Sequence, residues 1–564
     1  MSFDKKFQID SVDDKVEQYD IGLDDERNIG IDKKEPIATV RDVSEAEDSD
    51  SSSIFGEDRH RLKASLQQRH IQMLALVGVF GTGIFLSSGG VLATAGPAGM
   101  FIAYSLVAII VGLNQIASAE VASLMPVTSA TLRHLEHFID PAWGFANGWI
   151  GVWGSILPGE ISAAAVIVSY WTDISQAAWI TIIIVLIIAL NSYNVRFYGE
   201  VEFVFAMIKI LLLIGLIIVS IVITSGGGPS HETIGFKYWK DPGPFKEYLT
   251  TGSLGRFAAF WKTFSGVVFS FGGVQSVPSL AAEVKNPRRN IFIASKRIFY
   301  RVTILMMVTV FCLTLIVPSN DKSIANSTGN AQHSPFVVAI NNANIKVLPH
   351  IINGAVLTSA FSAANLSIVG GSRTLFALAV KHQAPKIFLK TNKRGLPWVG
   401  SLFVAMFFPL AYMNVSSSAA NIFNWFQSLG SGNLLVGWIF ISANHIHMTR
   451  AMKAQGISRD QLPHKFRFGP QAAWISGGAS LLLLLTGGFV NFVHGKFSVA
   501  SLFSSYFIIP LTWALYFFWK FFKKTRYYRP HEVDLASLFK DVEENPEEPE
   551  PPIKGWRWIT LLWS

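Results

Sequence analysis

The stretch M-L-A-L-V-G-V-F-G-T-G-I-F-L-S-S-G-G-V-L, Met73 to Leu92, decides the fold. If helical it is about 30 Å long, enough to cross the hydrocarbon core of a bilayer. Its middle, Gly78-Val79-Phe80-Gly81-Thr82-Gly83, is poor helix. A glycine in a helix interior costs about 1 kcal/mol against alanine, so the helix is expected to break there. A break in lipid strands backbone N–H and C=O groups without water, which is tolerable only where it lines a cavity or binds something polar. N–H groups opening the second half-helix suit an anion such as a carboxylate. Carbonyls ending the first half suit a cation such as an ammonium. The same glycines also fit close helix packing, so this stretch alone leaves both readings open.

Working outward, the chain is half apolar, with only 15% charged residues and a mean hydropathy of +0.36. The apolar residues gather into about twelve runs of spanning length. These are Met73–Leu92, Ala98–Leu124, Phe145–Tyr170, Ala178–Tyr193, Val201–Ile223, Phe257–Ala282, Val302–Val317, Ile351–Ala377, Trp398–Met413, Ile422–Ile446, Ala472–Phe492 and Leu502–Trp519. The class is therefore an all-α polytopic membrane protein. The first run is too far from Met1 and too long for a signal peptide. The single cysteine, Cys312, excludes an intrachain disulfide.

Of the 47 lysines and arginines, 38 fall in the tails and loops that would share one side, and 8 on the other. The short basic loops Lys285–Arg301, Lys381–Arg394 and Arg450–Arg467 orient the chain with both termini cytosolic. The net charge of +8 thus calls for no nucleic-acid partner. Residues 1–69 read as a disordered cytosolic tail, rich in Asp, Glu and Ser. Lys5, Lys6 and Lys15 there are candidate acceptors for ubiquitin ligase machinery. The transporter domain is expected over 70–521, and residues 522–564 as a C-terminal cytosolic tail, flexible around Glu543–Pro552. The loop Ser225–Arg256 reads as a folded cap over the pore mouth. The loop Ser319–His350 carries the sequon Asn326-Ser327-Thr328, a candidate glycosylation site at Asn326.

A second interrupted segment lies in the sixth run, Phe269-Ser270-Phe271-Gly272-Gly273-Val274-Gln275-Ser276-Val277-Pro278. Five spans separate it from the first run, so the two enter from opposite sides. Broken helices at matching places in two halves point to an inverted-repeat transporter with a site at the bilayer midplane. This pairing favours the ligand reading of the glycines.

The chain resembles the fungal amino acid permease family of the amino acid–polyamine–organocation transporters, roughly from Arg69 to Arg529. The resemblance rests on Gly81-Thr82-Gly83-Ile84-Phe85, Met125-Pro126-Val127-Thr128, Phe138-Ile139-Asp140-Pro141-Ala142-Trp143, Leu157-Pro158-Gly159-Glu160-Ile161, Gly199-Glu200-Val201-Glu202-Phe203, Glu283-Val284-Lys285-Asn286-Pro287 and Ser372-Arg373-Thr374-Leu375. It implies five plus five helices in inverted repeat (about 70–225 and 255–450), with broken helices 1 and 6 and two added helices at about 471–521. It implies alternating-access, proton-driven uptake of amino acids at the plasma membrane, with no cofactor. The substrate carboxylate would sit on Gly81, Thr82 and Gly83, and the ammonium on carbonyls around Val77, Gly78 and Phe269, Ser270 and Phe271. Gly272 and Gln275 belong to the same expected pocket. Where the family often has glutamate this chain has Gln275, so carnitine-like derivatives and polyamines stay open, as does a transporter-like nutrient receptor. No nucleophile–base or metal-ligand pattern appears, so an enzyme is not expected.

Two buried charges complete the reading. Lys209 lies about ten residues into the fifth run, where a charge is costly unless paired or neutralised, and is a candidate for proton coupling. Glu160, beside Pro158 and Gly159, is a candidate proton carrier or cation partner.

Overall fold

The computed structural model describes residues 81–127, 129–193, 195–229, 231–273, 287–325, 334–392, 396–416 and 419–547. All elements among them are helical. A wide π turn, Gly83–Ser87, leads into α1 (Ser88–Leu124). Together these 42 residues would reach about 63 Å as one rod, twice the hydrocarbon thickness. The run is divided at Gly96, whose φ of +77° takes it out of the helix just before Pro97. The peptide groups freed there are paired by the loop after the fifth span. Ala98 N donates to Pro244 O at 2.9 Å and Lys246 N to Ala95 O at 3.2 Å. A side chain at Gly96 would meet Pro244 O at 2.9 Å, so the close approach requires glycine. The expected cap over Ser225–Arg256 is thus tied down at Ala95–Ala98. Trp239 Nε1, donating to Thr314 Oγ1, and Lys246 Nζ, donating to Ser319 O, add further anchors.

A short amphipathic helix, α2 (Ala130–Phe138), follows. Burial pushes the His134 imidazole down to about 4, so it stays neutral near pH 7, and its Nε2 hydrogen-bonds Met125 O. Asp140 caps α3 (Pro141–Ile156) by accepting from Ala142 N, with Pro141 in the first turn where no N–H is needed. Pro158 then interrupts the third span, so the single run expected over Phe145–Tyr170 is two helices, α3 and α4 (Gly159–Val168). Next come α5 (Gln176–Tyr193), α6 (Val195–Thr224), α7 (Gly252–Lys262) and α8 (Phe264–Ser270). The second half of the described chain holds α9 (Pro287–Ile316), α10 (Pro335–Asn342), α11 (Leu348–Val380), α12 (Trp398–Ala405), α13 (Ala419–Ala454) and α14 (Gly469–Thr486). A pair bent by 50°, α15 (Val499–Tyr506) and α16 (Ile508–Lys523), precedes α17 (Ala536–Glu544).

Six described helices are apolar and long enough to span by themselves, and the bent pair makes a seventh. The rest of the expected twelve have local reasons for escaping such a count. The first of the six holds two spans folded at Gly96, α5 is short, and the sixth span is broken. Helix α13 carries Ser431, Ser442, Asn444, His445 and His447, all buried inside the bundle. Polar residues are tolerable there because the helix faces protein rather than lipid. The outer faces of α5, α6 and α14 expose Val185, Leu186, Leu211, Ile218, Ile221 and Leu485, a belt that fits contact with acyl chains.

Within the expected C-terminal tail, residues 528–547 pack on the helical bundle. Leu535 and Leu538 are fully buried. Tyr528 N donates to Ile139 O, His137 Nε2 lies 2.9 Å from Asp534 O, and Gln455 Nε2 donates to Val533 O. Arg288, at the start of α9, forms a buried ion pair with Asp541. The Glu547 carboxylate accepts from Arg288 N at 2.7 Å and Arg289 N at 3.0 Å, capping α9 with a negative charge. Breaking a buried ion pair from one side costs about 3 kcal/mol. Arg288→Ala should therefore raise local opening of α17 roughly a hundredfold. Limited proteolysis of detergent-purified protein, with cleavage mapped between 524 and 536, reads this directly. Unchanged cleavage would show that the pair does not hold the tail.

Candidate functional site

The helix that follows the first break begins at Gly83, in the middle of the apolar stretch, with Thr82 as its cap residue. Val77 and Gly78 lie outside the described residues. The π turn spaces its hydrogen bonds widely and leaves carbonyls to be paired elsewhere. Ser88 Oγ donates to Ile84 O at 2.5 Å, and Ser334 Oγ donates to Phe85 O at 2.9 Å. Ser334 immediately precedes α10, whose Pro335 to Ile340 are all buried. The loop Ser319–His350 thus packs a helix against the turn at Gly83–Ser87.

The second break meets the first directly. Helix α8 ends at Ser270, and Gly273 has a φ of +91° that glycine adopts without strain. A Cβ on Gly83 would sit 2.6 Å from Ser270 Cα and 3.0 Å from Ser270 N. The two half-helices touch backbone to backbone, a contact open only to glycine. Ser270 Oγ donates to Gly266 O at 3.0 Å and lies 3.1 Å from Tyr104 Oη. Helix α13 closes the third side. Ser87 Oγ donates to Gln427 Oε1 at 2.5 Å, and Ser431 Oγ donates to Ser265 O at 2.7 Å. The Phe269 ring packs on Phe423 and Gly430, whereas Phe271 turns into the core against Tyr104. Gly272 packs on Leu434. Gln275 and the sequon at Asn326 lie outside the described residues.

Glu160 stands in the first turn of α4 and faces the first break. Its Oε1 is 3.3 Å from the position of a Cβ on Gly81. The Glu160 carboxylate interacts with the hydroxyl and backbone N–H of the fully buried Thr82 and with the Lys209 charge, which leaves its Oε2 without a close hydrogen bond. A buried carboxylate and hydroxyl in an apolar bundle are costly unless they are paired, so their place beside the Gly83 turn is suited to polar recognition.

Lys209 is only 1% exposed and does not reach the surface. Its Nζ donates to Ser362 Oγ at 3.2 Å, and that hydroxyl donates to Glu202 Oε2 at 2.5 Å. Glu202 Oε1 accepts from Asn365 Nδ2 at 2.8 Å, and Asn365 Oδ1 accepts from Asn191 Nδ2. The Lys209 charge interacts with both Glu202 and Glu160. Ala363, next to Ser362 on α11, has its Cβ 4.0 Å from the Cβ position of Gly81. One turn of α11 thus joins the lysine to the first break. Glu202, Ser362 and Asn365 were not picked out by the sequence reading. The signal for Glu202 was its place seven residues before Lys209, on the same face of one helix. Glu120, by contrast, lies elsewhere: its carboxylate is buried against Arg459 and within 3.3 Å of His445 Nε2, linking α1 to the far end of α13.

The chain matches the family model described as amino acid permease over residues 70–531. It is 37% identical to the dicarboxylic amino acid permease of Saccharomyces cerevisiae, over 87% of this chain and 83% of the relative. It is 36% identical to the proline-specific permease of the same yeast (89% and 82% covered) and 34% identical to its lysine-specific permease (90% and 83%). Relatives named for acidic, cyclic and basic amino acids are thus almost equally similar. Among solved structures, the manganese transporter of Eremococcus coleocola, in complex with an aromatic bis-isothiourea compound, superposes with a TM-score of 0.51 at 13% identity. The match covers 81% of this chain and 94% of that one, a likeness of fold.

Proposed function

This chain belongs to the amino acid permease family, and on that premise we propose that it is a proton-coupled symporter that takes up an amino acid across the plasma membrane by alternating access. The observation that carries the reading is the close contact of the Gly83 turn with the end of α8 at Ser270, with the Glu160 carboxylate and Thr82 beside it. The substrate carboxylate takes the N–H groups opening the helix at Thr82 and Gly83, whose dipole favours an anion. The ammonium takes Glu160 and carbonyls at the end of α8. Each half of a zwitterion then meets a group of opposite polarity.

Lys209 supplies the coupling. Its ammonium ties α6 to α11 through Ser362, one residue from the wall of the pocket. Loss of its proton removes the charge attraction to Glu202 and Glu160, weakens that tie and biases the bundle toward the other arrangement. The charge distribution along the loops supports a cytosolic location for both tails.

Purified protein in lipid vesicles, given a panel of radiolabelled amino acids, carnitine and polyamines with an inward proton gradient, tests the reading. An amino acid should accumulate, and a protonophore should abolish the accumulation. Accumulation that survives the protonophore would remove the proton, and binding without any flux would make the chain a receptor.

A further inference from the structure

Away from the central site, a crevice of about 220 Å³ opens between α1 and α9. Its walls are graded. Toward the basic loops lie Gln115, Ala119, Ser295, Lys296 and Phe466; deeper along both helices lie Gly112, Leu113, Phe299 and Ile109. Gln115 and Ile109 are six residues apart, about 9 Å along the helix. Ile109 is 56% and Tyr300 54% exposed, so the crevice opens outward, onto what is lipid in a spanning protein. Gly112 allows the approach of α9, since a Cβ there would meet the Phe299 ring at 2.4 Å.

The floor is not an ordinary helix contact. Gln115 is 3% and Ser295 1% exposed. Yet Gln115 Nε2 and Ser295 Oγ have no hydrogen-bond partner. Lys296 is exposed beside them and, among the described residues, forms no ion pair with a carboxylate. No carboxylate lines the crevice. Two buried, unpartnered donors and one exposed ammonium therefore belong to the polar end, with apolar walls running away from them.

We propose that this crevice binds one anionic phospholipid of the leaflet on the side of the basic loops. Gln115 Nε2 and Ser295 Oγ, closed off from the crevice in this arrangement, turn out to donate to the phosphate and ester oxygens, and Lys296 neutralises the headgroup charge. One acyl chain lies along Leu113, Phe299 and Ile109. Basic pockets between transmembrane helices at this depth favour anionic headgroups. A sterol carries a single hydroxyl and no charge, leaving a donor and the ammonium unused. A free small anion leaves the apolar end unfilled.

The test is native mass spectrometry of the full-length protein in mixed micelles containing phosphatidylserine, phosphatidylcholine and a sterol at equal concentration. The wild type should retain one phosphatidylserine in preference to the others. Gln115→Leu with Ser295→Ala should weaken retention by about tenfold or more, through loss of hydrogen bonds to a charged group. Lys296→Gln, at an exposed position, should abolish the preference for the anionic lipid without disturbing the fold. Substrate uptake by each variant in phosphatidylcholine vesicles should equal that of the wild type there, which separates loss of the lipid from misfolding. Equal retention of phosphatidylcholine by the wild type, preferential retention of the sterol, or unchanged phosphatidylserine binding by Lys296→Gln would each overturn the assignment.

Discussion

Gly83→Ala should lower uptake by about thirtyfold while the protein still reaches the cell surface. The added methyl would sit 2.6 Å from Ser270 Cα and 2.9 Å from its Oγ. Neither backbone can give way cheaply, because Gly83 opens one half-helix and Ser270 ends the other. Overpacking of this kind costs about 1–3 kcal/mol, and 2 kcal/mol corresponds to about thirtyfold in an equilibrium. The damage falls on the arrangement that holds the substrate, so maximal rate and apparent affinity should both suffer. Gly90→Ala, where a methyl meets nothing within 4 Å, is the matched control and should transport normally. Gly81→Val presses on the Glu160 carboxylate instead, 3.3 Å from its Cβ position, and should abolish uptake. Radiolabelled uptake with surface biotinylation separates transport from trafficking. Wild-type uptake by Gly83→Ala at normal surface level would remove the two-helix site from the mechanism.

Lys209→Ala should abolish accumulation against a gradient and leave substrate binding measurable. The lysine is held away from water with Glu202 two hydrogen bonds distant through Ser362. Removing one partner of a buried charge pair costs about 3–5 kcal/mol, so part of the loss in this variant reflects an orphaned Glu202. Lys209→Ala combined with Glu202→Gln removes both charges. It should recover thermal stability relative to Lys209→Ala but not concentrative uptake. A purely structural role for the lysine predicts that both recover together. Lys209→Arg keeps a cation that does not deprotonate, so its uptake should lose most of its dependence on external pH. Concentrative uptake by Lys209→Ala with the wild-type pH profile would move the coupling role to Glu160.

The membrane class, the broken helices and the resemblance to amino acid permeases were legible in local patterns. Apolar runs of spanning length need only one-dimensional hydropathy. The interruptions expected at Gly78–Gly83 and Gly272–Gly273 follow from the backbone preferences of glycine, whereas the third run reads as one span and Pro158 divides it. The lysine inside the fifth run stood out because charge is rare in that setting.

What the chain alone determined is therefore what each residue carries with it: its transfer free energy, its backbone freedom and its charge. Tertiary structure decided which of these meet. Ser362 and Lys209 are 153 residues apart, and Ser270 and Tyr104 are 166 apart, yet each pair meets within hydrogen-bonding distance. The burial of α10 and the docking of α17 likewise belong to packing. The first is apolar but too short to read as a span and the second is mixed enough to read as tail, and the surfaces they meet make them part of the core. Glu202 and Glu200 are two residues apart on one helix, but only Glu202 turns inward to the lysine and is 1% exposed. Hydropathy and spacing are local quantities, whereas pairing and desolvation depend on neighbours brought from distant parts of the chain.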